Sequence, residues 1–333
     1  MMDEFPYISL NREELIQQIN FLSEKHVPFL FIIDFKAENG FVITNNDLNE
    51  NFVLFNFQTK NEIPALQELK NKNFKWKINP VCFHDYEIKY NYVVNQIHIG
   101  NSFLVNLTQP TLLNTNLFLK DLFQNGSAKY KLWIKDKFTV LSPETFVQIK
   151  DGIISSFPMK GTIDASIPNA VDIILNDAKE KAEHATIVDL IRNDLSQVAQ
   201  EVEVKRYRYV EKIKTNATDL LQVSSEIAGK LPPDYRSRLG EILFSLLPAG
   251  SISGAPKPKT LEIIDCAEGY ERGFYTGICG YYDGKNLDSA VMIRFVEQQG
   301  EKLIFKSGGG ITSKSDVNKE YEELIQKVYV PFC

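Results

Sequence analysis

Short alternating apolar runs joined by glycine turns constrain the fold of this chain more than any other feature. FVQIK (146–150) and IISSF (153–157) flank Asp151-Gly152, a dipeptide that is a strong signal for a two-residue β-hairpin turn. Two more hairpins are predicted to turn near Asp283-Gly284 and Gln299-Gly300. Because such short turns join only antiparallel neighbours, the sheets are predicted to be antiparallel.

Helical patterns separate these groups of strands. Asn11 and Glu14 form the pattern of a capping box, and the apolar residues that follow are spaced as in a short amphipathic helix. Further helical segments are predicted before Gly100, over Ala170–Val198, up to Leu247-Pro248, from Pro258 and at the end of the chain, near Val330. Strict βαβ alternation is missing, so the sequence predicts an α+β protein.

Composition excludes several classes of function. The formal net charge of −6 and the pI near 5.5 give no reason to expect nucleic acid or an anionic membrane as a partner. Residues 1–10 do not resemble a secretory signal, and no apolar run approaches the length of a membrane helix. Four widely spaced cysteines form no metal-binding pattern and are expected to be reduced and mostly buried. These features predict a cytoplasmic protein.

Two acidic pairs occur at helical spacing. Glu180 and Glu183 lie in the long central helix, and Glu320 and Glu323 repeat the arrangement in the last one. Each pair directs its carboxylates to one helix face, and two such faces would supply the hard oxygen ligands that Mg²⁺ prefers. The alternative is a solvated acidic face, which this spacing also fits.

Lys160 and Glu144 are candidates for covalent and acid–base chemistry. Lys160 follows an apolar strand and lies between Met159 and Gly161, where backbone and ligand can approach closely, so its amine could act as a nucleophile. Glu144, one strand earlier, could be held protonated as a general acid if it is partly buried. An ordinary hairpin lysine and an ordinary loop glutamate are the alternatives.

The triple glycine Gly308-Gly309-Gly310 is predicted to lie between a strand and a helix. Its backbone N–H groups and the helix N-terminus would then form an anion cradle suited to a small dicarboxylate. Arg294, in the strand-like stretch before it, could clamp a carboxylate with two hydrogen bonds.

Taken together and in order, the motifs resemble those of the chorismate-utilising enzymes. This family includes anthranilate synthase large subunits, aminodeoxychorismate synthase component I, and isochorismate and salicylate synthases. The matching stretches are GNSFLVNLTQ (100–109), SPETF (142–146), PMKGT (158–162), AEHATIVDLIRNDL (182–195), PAGSISGAPKPKTLEII (248–264), ERGFYTG (271–277), MIRF (292–295) and SGGGI with KEYEELIQK (307–327).

The resemblance implies a fold of two antiparallel sheets packed as a sandwich with helices on the outside. It implies one chorismate-binding domain over residues 1–333, in which 96–330 form the catalytic core and 1–95 are a shortened N-terminal part. Because relatives carry a tryptophan site in the material missing there, we expect no robust feedback by tryptophan.

The resemblance also assigns roles to residues. Glu183 and Glu323 match magnesium ligands, Glu180 and Glu320 line that site, and Glu144 matches the general acid that protonates the leaving C4 hydroxyl. Substrate contacts are implied for Gly161, Thr162, Gln222, Ser251, Tyr275, Arg294, Gly308, Gly309, Gly310 and Lys327. Of these, Arg294 and Tyr275 match residues that hold the pyruvyl carboxylate, and Ser251 and Lys327 match positions near the ring carboxylate.

Lys160 favours one branch of the family. Aminodeoxychorismate synthases resemble P-x-K-G-T here, whereas anthranilate synthases usually carry Ala before Gly-Thr. The leading hypothesis is therefore aminodeoxychorismate synthase component I, with Lys160 as a covalent nucleophile. Anthranilate synthase component I, another chorismate enzyme, and a non-catalytic chorismate-binding subunit are the alternatives.

The chain departs from the family pattern in three places. Gln222 stands where most relatives carry a histidine, and glutamine cannot carry a proton at neutral pH. Phe295 replaces a common threonine, and Ser196-Gln197 replaces Gly-Arg. These changes bear on details of the substrate pocket.

No cysteine lies in the Gly-x-Cys-x-Gly turn of a glutaminase. The resemblance therefore implies that a separate glutamine amidotransferase subunit delivers ammonia, or that free ammonia is used directly.

Overall fold

The computed structural model describes residues 5–57, 61–62, 75–213 and 219–330. Within these ranges the helices are α1 (Arg12–Glu24), α2 (Phe83–His98), α3 (Leu119–Asn125), α4 (Ala170–Asn176), α5 (Ala178–Ser196), α6 (Leu239–Ser245), α7 (Gly250–Ser253), α8 (Lys257–Glu268) and α9 (Val317–Gln326). The strands are β1 (Leu10–Asn11), β2 (Phe29–Ile33), β3 (Asn39–Thr44), β4 (Val53–Asn56), β5 (Asn61–Glu62), β6 (Trp76–Asn79), β7 (Leu104–Thr115), β8 (Tyr130–Ile134), β9 (Phe138–Ser142), β10 (Thr145–Lys150), β11 (Ile153–Ser156), β12 (Met159–Asp164), β13 (Gln200–Ile213), β14 (Leu220–Lys230), β15 (Gly254–Ala255), β16 (Ile278–Tyr282), β17 (Leu287–Val291), β18 (Phe295–Gln299) and β19 (Lys302–Ile311).

These strands form two sheets. The first has the order β1-β3-β2-β16-β17-β10-β11-β14-β12, with β13 also paired to β14. The second has the order β15-β7-β19-β18-β9-β8-β4-β5, with β6 also paired to β7. Neighbouring strands in the described ranges are antiparallel throughout.

The two sheets pack face to face around an apolar layer. Ile32 and Tyr281 of the first sheet meet Phe55, Leu132 and Val140 of the second, and all five are nearly inaccessible to solvent. A larger cluster joins the outer face of the first sheet to α1, α5 and α6. A third cluster covers the second sheet with α3. The predicted α+β sandwich of two antiparallel sheets with outer helices is therefore confirmed.

Local sequence signals are confirmed at the hairpins and at the first helix. Asp151 and Gly152 both have positive φ, as a type I′ turn requires, and Lys150 pairs with Ile153 across it. Asn11 Oδ1 accepts the Glu14 backbone N–H at 3.1 Å, and Glu14 Oε2 accepts that of Asn11 at 2.9 Å. Hairpins also join β16 to β17 and β18 to β19, where the glycine turns predict them.

Two expectations are wrong. The helix predicted over Ala170–Val198 is two helices, because Asp177 takes an extended conformation and its side chain caps α5 by accepting the Glu180 N–H at 2.8 Å. The cysteines are not mostly buried: Cys279 is buried, Cys82 and Cys266 are exposed, and Cys333 lies outside the described residues.

No helix in the described ranges combines the length and apolarity needed to cross a membrane.

Candidate active site

Glu144 lies in the tight connection between β9 and β10. Its backbone N–H donates to Ser142 Oγ at 3.1 Å, and its carbonyl accepts the Val291 N–H at 3.2 Å, so the main chain is fixed on both sides. The carboxylate accepts a hydrogen bond from Ser251 Oγ in the short helix α7. Burial raises the pKa of Glu144 above its ordinary value, and Ser251, Lys160, Lys327 and Arg294 oppose that rise.

Lys160 projects from β12 toward α5. Its Nζ lies 3.2 Å from Glu183 Oε2, and the two side chains are 27% and 14% exposed, which shields the pair from most of the solvent. The next residue, Gly161, has φ of +81°, and a Cβ there would lie 3.2 Å from Glu180 Oε2. The structure therefore brings Lys160, Gly161 and the first acidic pair together.

The three glycines lie inside β19 and not between a strand and a helix, which corrects the sequence-based prediction. Gly308, Gly309 and Gly310 pair in register with Thr108, Leu107 and Asn106 of β7, and α9 begins only at Val317. The strand continues because β7 offers an unbroken ladder there. The cradle is therefore a strand edge, without the helix N-terminus that was expected.

The free edge of this strand faces the last helix. Gly308 O accepts a hydrogen bond from Lys327 Nζ at 2.9 Å, so Gly308 points its backbone groups away from β7. Backbone groups alternate along a strand, and Gly310 therefore points its N–H to the same side. A Cβ on Gly310 would lie 3.5 Å from Lys160 Nζ, so the glycine leaves room next to the amine.

The second acidic pair lies under the middle glycine. A Cβ on Gly309 would be 3.3 Å from Glu320 Oε2 and 3.8 Å from Glu323 Oε1. Glu320 is 4% exposed, whereas Glu323 is half exposed and pairs with Lys327 at 2.6 Å. The second acidic pair thus borders the glycine strand, whereas the first is linked to that strand through Lys160, and a lysine pairs with one carboxylate of each.

Arg294 and Tyr275 lie on backbone that takes unusual conformations. Arg294 has φ of +50°, and its guanidinium stacks over the Tyr329 ring at 5.0 Å. Tyr275 is 3% exposed, and burial raises the pKa of its phenol. Its neighbour Thr276 has φ of +62°, which is rare for a β-branched residue and marks a backbone held under strain.

Two predicted substrate contacts lie at the far edge of the first sheet. Thr162 of β12 pairs in register with Gln222 of β14, which also pairs with Glu211 of β13. Thr162 is exposed and Gln222 is half-buried. Thr162 thus lies on the strand that carries Lys160, and Gln222 lies on the strand paired with it.

A mostly apolar cavity lies behind Glu144, and sequence reasoning missed it. Its walls come from α5, α7 and three strands, so no local pattern signals it. Asp194 at its rim forms an ion pair of 2.8 Å with the half-buried Lys257. The lining residues are Glu144, Thr145, Phe146, Val147, Ser156, Pro158, Ile191, Asp194, Leu195, Leu246, Ala249, Gly250, Ser251 and Val291.

A family model described as chorismate binding enzyme matches residues 18–332. The chain belongs to the chorismate-binding enzyme family.

Other members of the chorismate-binding family cover most of this chain. An uncharacterised PabA-like protein of Pasteurella multocida is 49% identical, over 95% of this chain and 98% of its own length. Aminodeoxychorismate synthase component 1 of Klebsiella aerogenes is 31% identical, over 76% of this chain and 58% of its own length. The crystal structure of anthranilate synthase component I from Streptococcus pneumoniae superposes with a TM-score of 0.71 at 22% identity, over 96% of this chain and 85% of that one.

The carboxylates of this chorismate-binding protein suit a hard divalent cation. Glu183 and Glu323 already have ammonium groups at 3.2 and 2.6 Å, and a metal ion could replace them as the positive charge. Mg²⁺ needs only one or two protein carboxylates and keeps other oxygens as ligands. In the described part of the chain no three His, Cys, Asp or Glu side chains form a ready metal cluster. A Mg²⁺ ion held by Glu183 and Glu323 would therefore need substrate or water oxygens to complete its ligands.

The raised pKa of Glu144 predicts a stability effect. The folded state holds this proton more tightly than the unfolded chain does, so stability falls as pH rises from the ordinary carboxyl pKa through the raised one. Glu144→Gln removes the charge, so its free energy of unfolding is expected to exceed that of wild type at pH 8, by a difference that narrows toward pH 5. Urea denaturation across this range measures that difference. The exposed Glu241→Gln serves as the control, and a difference independent of pH would contradict the prediction.

Proposed function

We propose that this protein is aminodeoxychorismate synthase component I, which converts chorismate and ammonia into 4-amino-4-deoxychorismate. One observation carries the proposal. The amine of Lys160 lies 3.2 Å from Glu183 Oε2 and 3.5 Å from the position of a Cβ on Gly310, and its charge acts on Glu144 together with those of Lys327 and Arg294. Anthranilate synthases usually carry alanine at this position and lack such an amine.

The residues around Lys160 provide two sets of hydrogen-bonding and charged groups, one for each carboxylate of a dicarboxylate substrate. Arg294 and the Tyr275 hydroxyl would hold the carboxylate of the pyruvyl side chain, with the N–H groups of Gly308 and Gly310 beside it. Lys327 and Ser251 would face the ring carboxylate. With both carboxylates fixed, the ring would be held between Lys160 and Glu144.

Mg²⁺ would be held by Glu183 and Glu323, with Glu180 and Glu320 nearby, and when bound would supply positive charge at the ring carboxylate as the C4 hydroxyl leaves. The protein itself supplies the proton for the leaving hydroxyl. Burial keeps the Glu144 carboxyl protonated to a higher pH, which suits it to give a proton to that hydroxyl.

The proposed reaction has two steps at Lys160. In the first, the neutral amine form of Lys160 forms a bond from Nζ to C2 of the ring while the C4–O bond breaks, and the hydroxyl departs as water with the proton of Glu144. In the second, ammonia attacks C4, the bond from C2 to Nζ breaks to restore the neutral amine, and the ammonia-derived nitrogen returns a proton to Glu144.

Gln222 suggests that the product keeps its side chain. An amide neither gains nor loses a proton near neutral pH, so it cannot replace an acid–base imidazole in the elimination of pyruvate. Ammonia would come from a separate glutamine amidotransferase subunit, or from free ammonia at high concentration.

The proposal is tested by the products of purified protein with chorismate, Mg²⁺ and ammonium. Mass spectrometry is expected to find the C4 hydroxyl exchanged for an amino group, with no release of pyruvate. Fluorescent anthranilate together with pyruvate would show an anthranilate synthase instead. Incorporation of labelled water at C2 would show isochorismate formation, and binding of chorismate without turnover would show a non-catalytic subunit.

A further inference from the structure

A buried ion pair lies behind the glycine strand, outside the groups that face the substrate. Arg272 and Glu268 have side chains that are 2% and 1% exposed. Arg272 Nε donates to Glu268 Oε2 at 2.8 Å, and Nη2 donates to Glu268 Oε1 at 2.6 Å, so the pair is bidentate. A buried pair of this kind is costly to break from one side, because the other charge is then left unpaired.

The remaining guanidinium protons of Arg272 reach three other segments. Nη1 donates to Ile252 O at 3.0 Å and to Thr276 Oγ1 at 3.3 Å, and Nη2 donates to Asn106 O at 2.6 Å. With the two bonds to Glu268, all five donors of the side chain have acceptors. The guanidinium also stacks over the Phe35 ring at 4.4 Å.

Two of these segments carry substrate-facing groups. Ile252 directly follows Ser251, which bonds to Glu144. Thr276 directly follows Tyr275, and its strained φ of +62° is held by the bond from Arg272 and by its own N–H to Met292 O at 2.8 Å. The same guanidinium therefore fixes the positions of Ser251 and Tyr275.

The pair also supports the back of the glycine strand. Glu268 Oε1 accepts both the N–H and the hydroxyl of Thr108 at 2.8 Å, and Arg272 binds Asn106 O. Thr108 and Asn106 lie opposite Gly308 and Gly310 in the ladder. Because Thr108 and Asn106 direct these backbone groups to their outer side, they form non-hydrogen-bonded pairs with Gly308 and Gly310, whose own backbone groups point away from β7.

We propose that Arg272 and Glu268 are positioning residues that set the geometry of Ser251, Tyr275 and the glycine edge together, an inference that rests on the proposed function for the identity of the substrate. Neither side chain touches the substrate. Their effect is transmitted through three backbone segments, so their alteration should weaken chorismate binding more than it slows the chemical step.

The test uses Arg272→Lys, which keeps a positive charge next to Glu268 but offers one ammonium in place of the five-donor fork. The KM for chorismate is expected to rise about tenfold or more, with kcat changed by less than about threefold. Glu268→Gln, which keeps the shape and an acceptor, is the second variant and should change KM in the same direction. Chorismate dissociation constants from calorimetry with Mg²⁺ and without ammonia are expected to follow KM.

Two controls separate positioning from general loss of stability. Ile19→Ala removes a fully buried side chain in α1, so it should lower the melting temperature without changing KM. In a double-mutant cycle, Arg272→Lys should add little to the KM of Tyr275→Phe if it acts through Tyr275. An unchanged KM and dissociation constant in Arg272→Lys, or fully additive effects in the cycle, would overturn the inference.

The experiment gives different results if the proposed function is wrong and if only the role of Arg272 is wrong. If wild type binds chorismate but does not aminate it, the function is wrong, and the calorimetric comparison still decides the role of Arg272. If wild type does not bind chorismate at all, both proposals fall.

Discussion

Replacing Lys160 with alanine is expected to lower the rate of chorismate amination by at least about 10³-fold, as loss of an essential nucleophile does in other enzymes. The change removes the only amine proposed to bond to the ring and breaks the 3.2 Å ion pair with Glu183. Product formation is measured by mass spectrometry at saturating chorismate, Mg²⁺ and ammonium. Chorismate should still bind, because Arg294, Tyr275 and the glycine edge remain.

Lys160→Arg is the matched control for charge. A guanidinium preserves the positive charge next to Glu183 but is too weak a nucleophile to add to C2. If the covalent role is correct, this variant is as inactive as the alanine variant. Substantial amination by the arginine variant alone would show that Lys160 serves only as a counter-ion, and substantial amination by the alanine variant would show that the reaction does not need Lys160. The intact-protein mass of wild type with chorismate and no ammonia provides a second readout, because the proposed intermediate adds the substrate, less water, to the chain.

Replacing Glu323 with glutamine is expected to raise the Mg²⁺ concentration needed for half-maximal activity by about 100-fold or more. A carboxylate in contact with the ion contributes at least as much as the outer ligands, whose loss costs about 10–100-fold in affinity. The measurement is a Mg²⁺ titration of the amination rate. A direct Mg²⁺ titration by calorimetry in the presence of chorismate checks the same affinity without turnover.

The same helix offers a matched control one residue away. Glu322 is exposed and has the same charge, but it lies beside the face that Glu323 presents to Gly309 and Lys327. Glu322→Gln should therefore leave the Mg²⁺ dependence unchanged. Equal shifts in the two variants would indicate a general effect of the acidic helix and would remove Glu323 from the site.

The parts of the fold that depend on neighbouring residues could be predicted from sequence. Asp151-Gly152 has one favourable turn conformation between two strands, and Asn11 with Glu14 satisfies the first N–H groups of α1 within a single turn. Both outcomes follow from local backbone chemistry. The break at Asp177 also has a local cause, but Asp is tolerated in helices, so the surrounding apolar spacing concealed it.

The sequence predicts which residues belong to the candidate site, but it does not predict how they are arranged. Ordered motifs identified Lys160, Glu183 and the glycines, and the structure brings these together. The position of the glycines within β19 depends on pairing with β7, a partner that no local pattern reveals. The sequence places Arg272 in a family motif but does not predict its role, because that role depends on acceptors in four separate segments.

The pairing of the glycine strand with β7 has a consequence for how fast the protein becomes active. The two strands are separated by roughly 190 residues, and closing so long a loop carries a large entropic cost before any contact repays it. Hairpins such as β10–β11 can form much earlier, since their partners are adjacent in the chain. During refolding, secondary structure should therefore recover first, and the regain of catalytic rate should mark the last step of assembly.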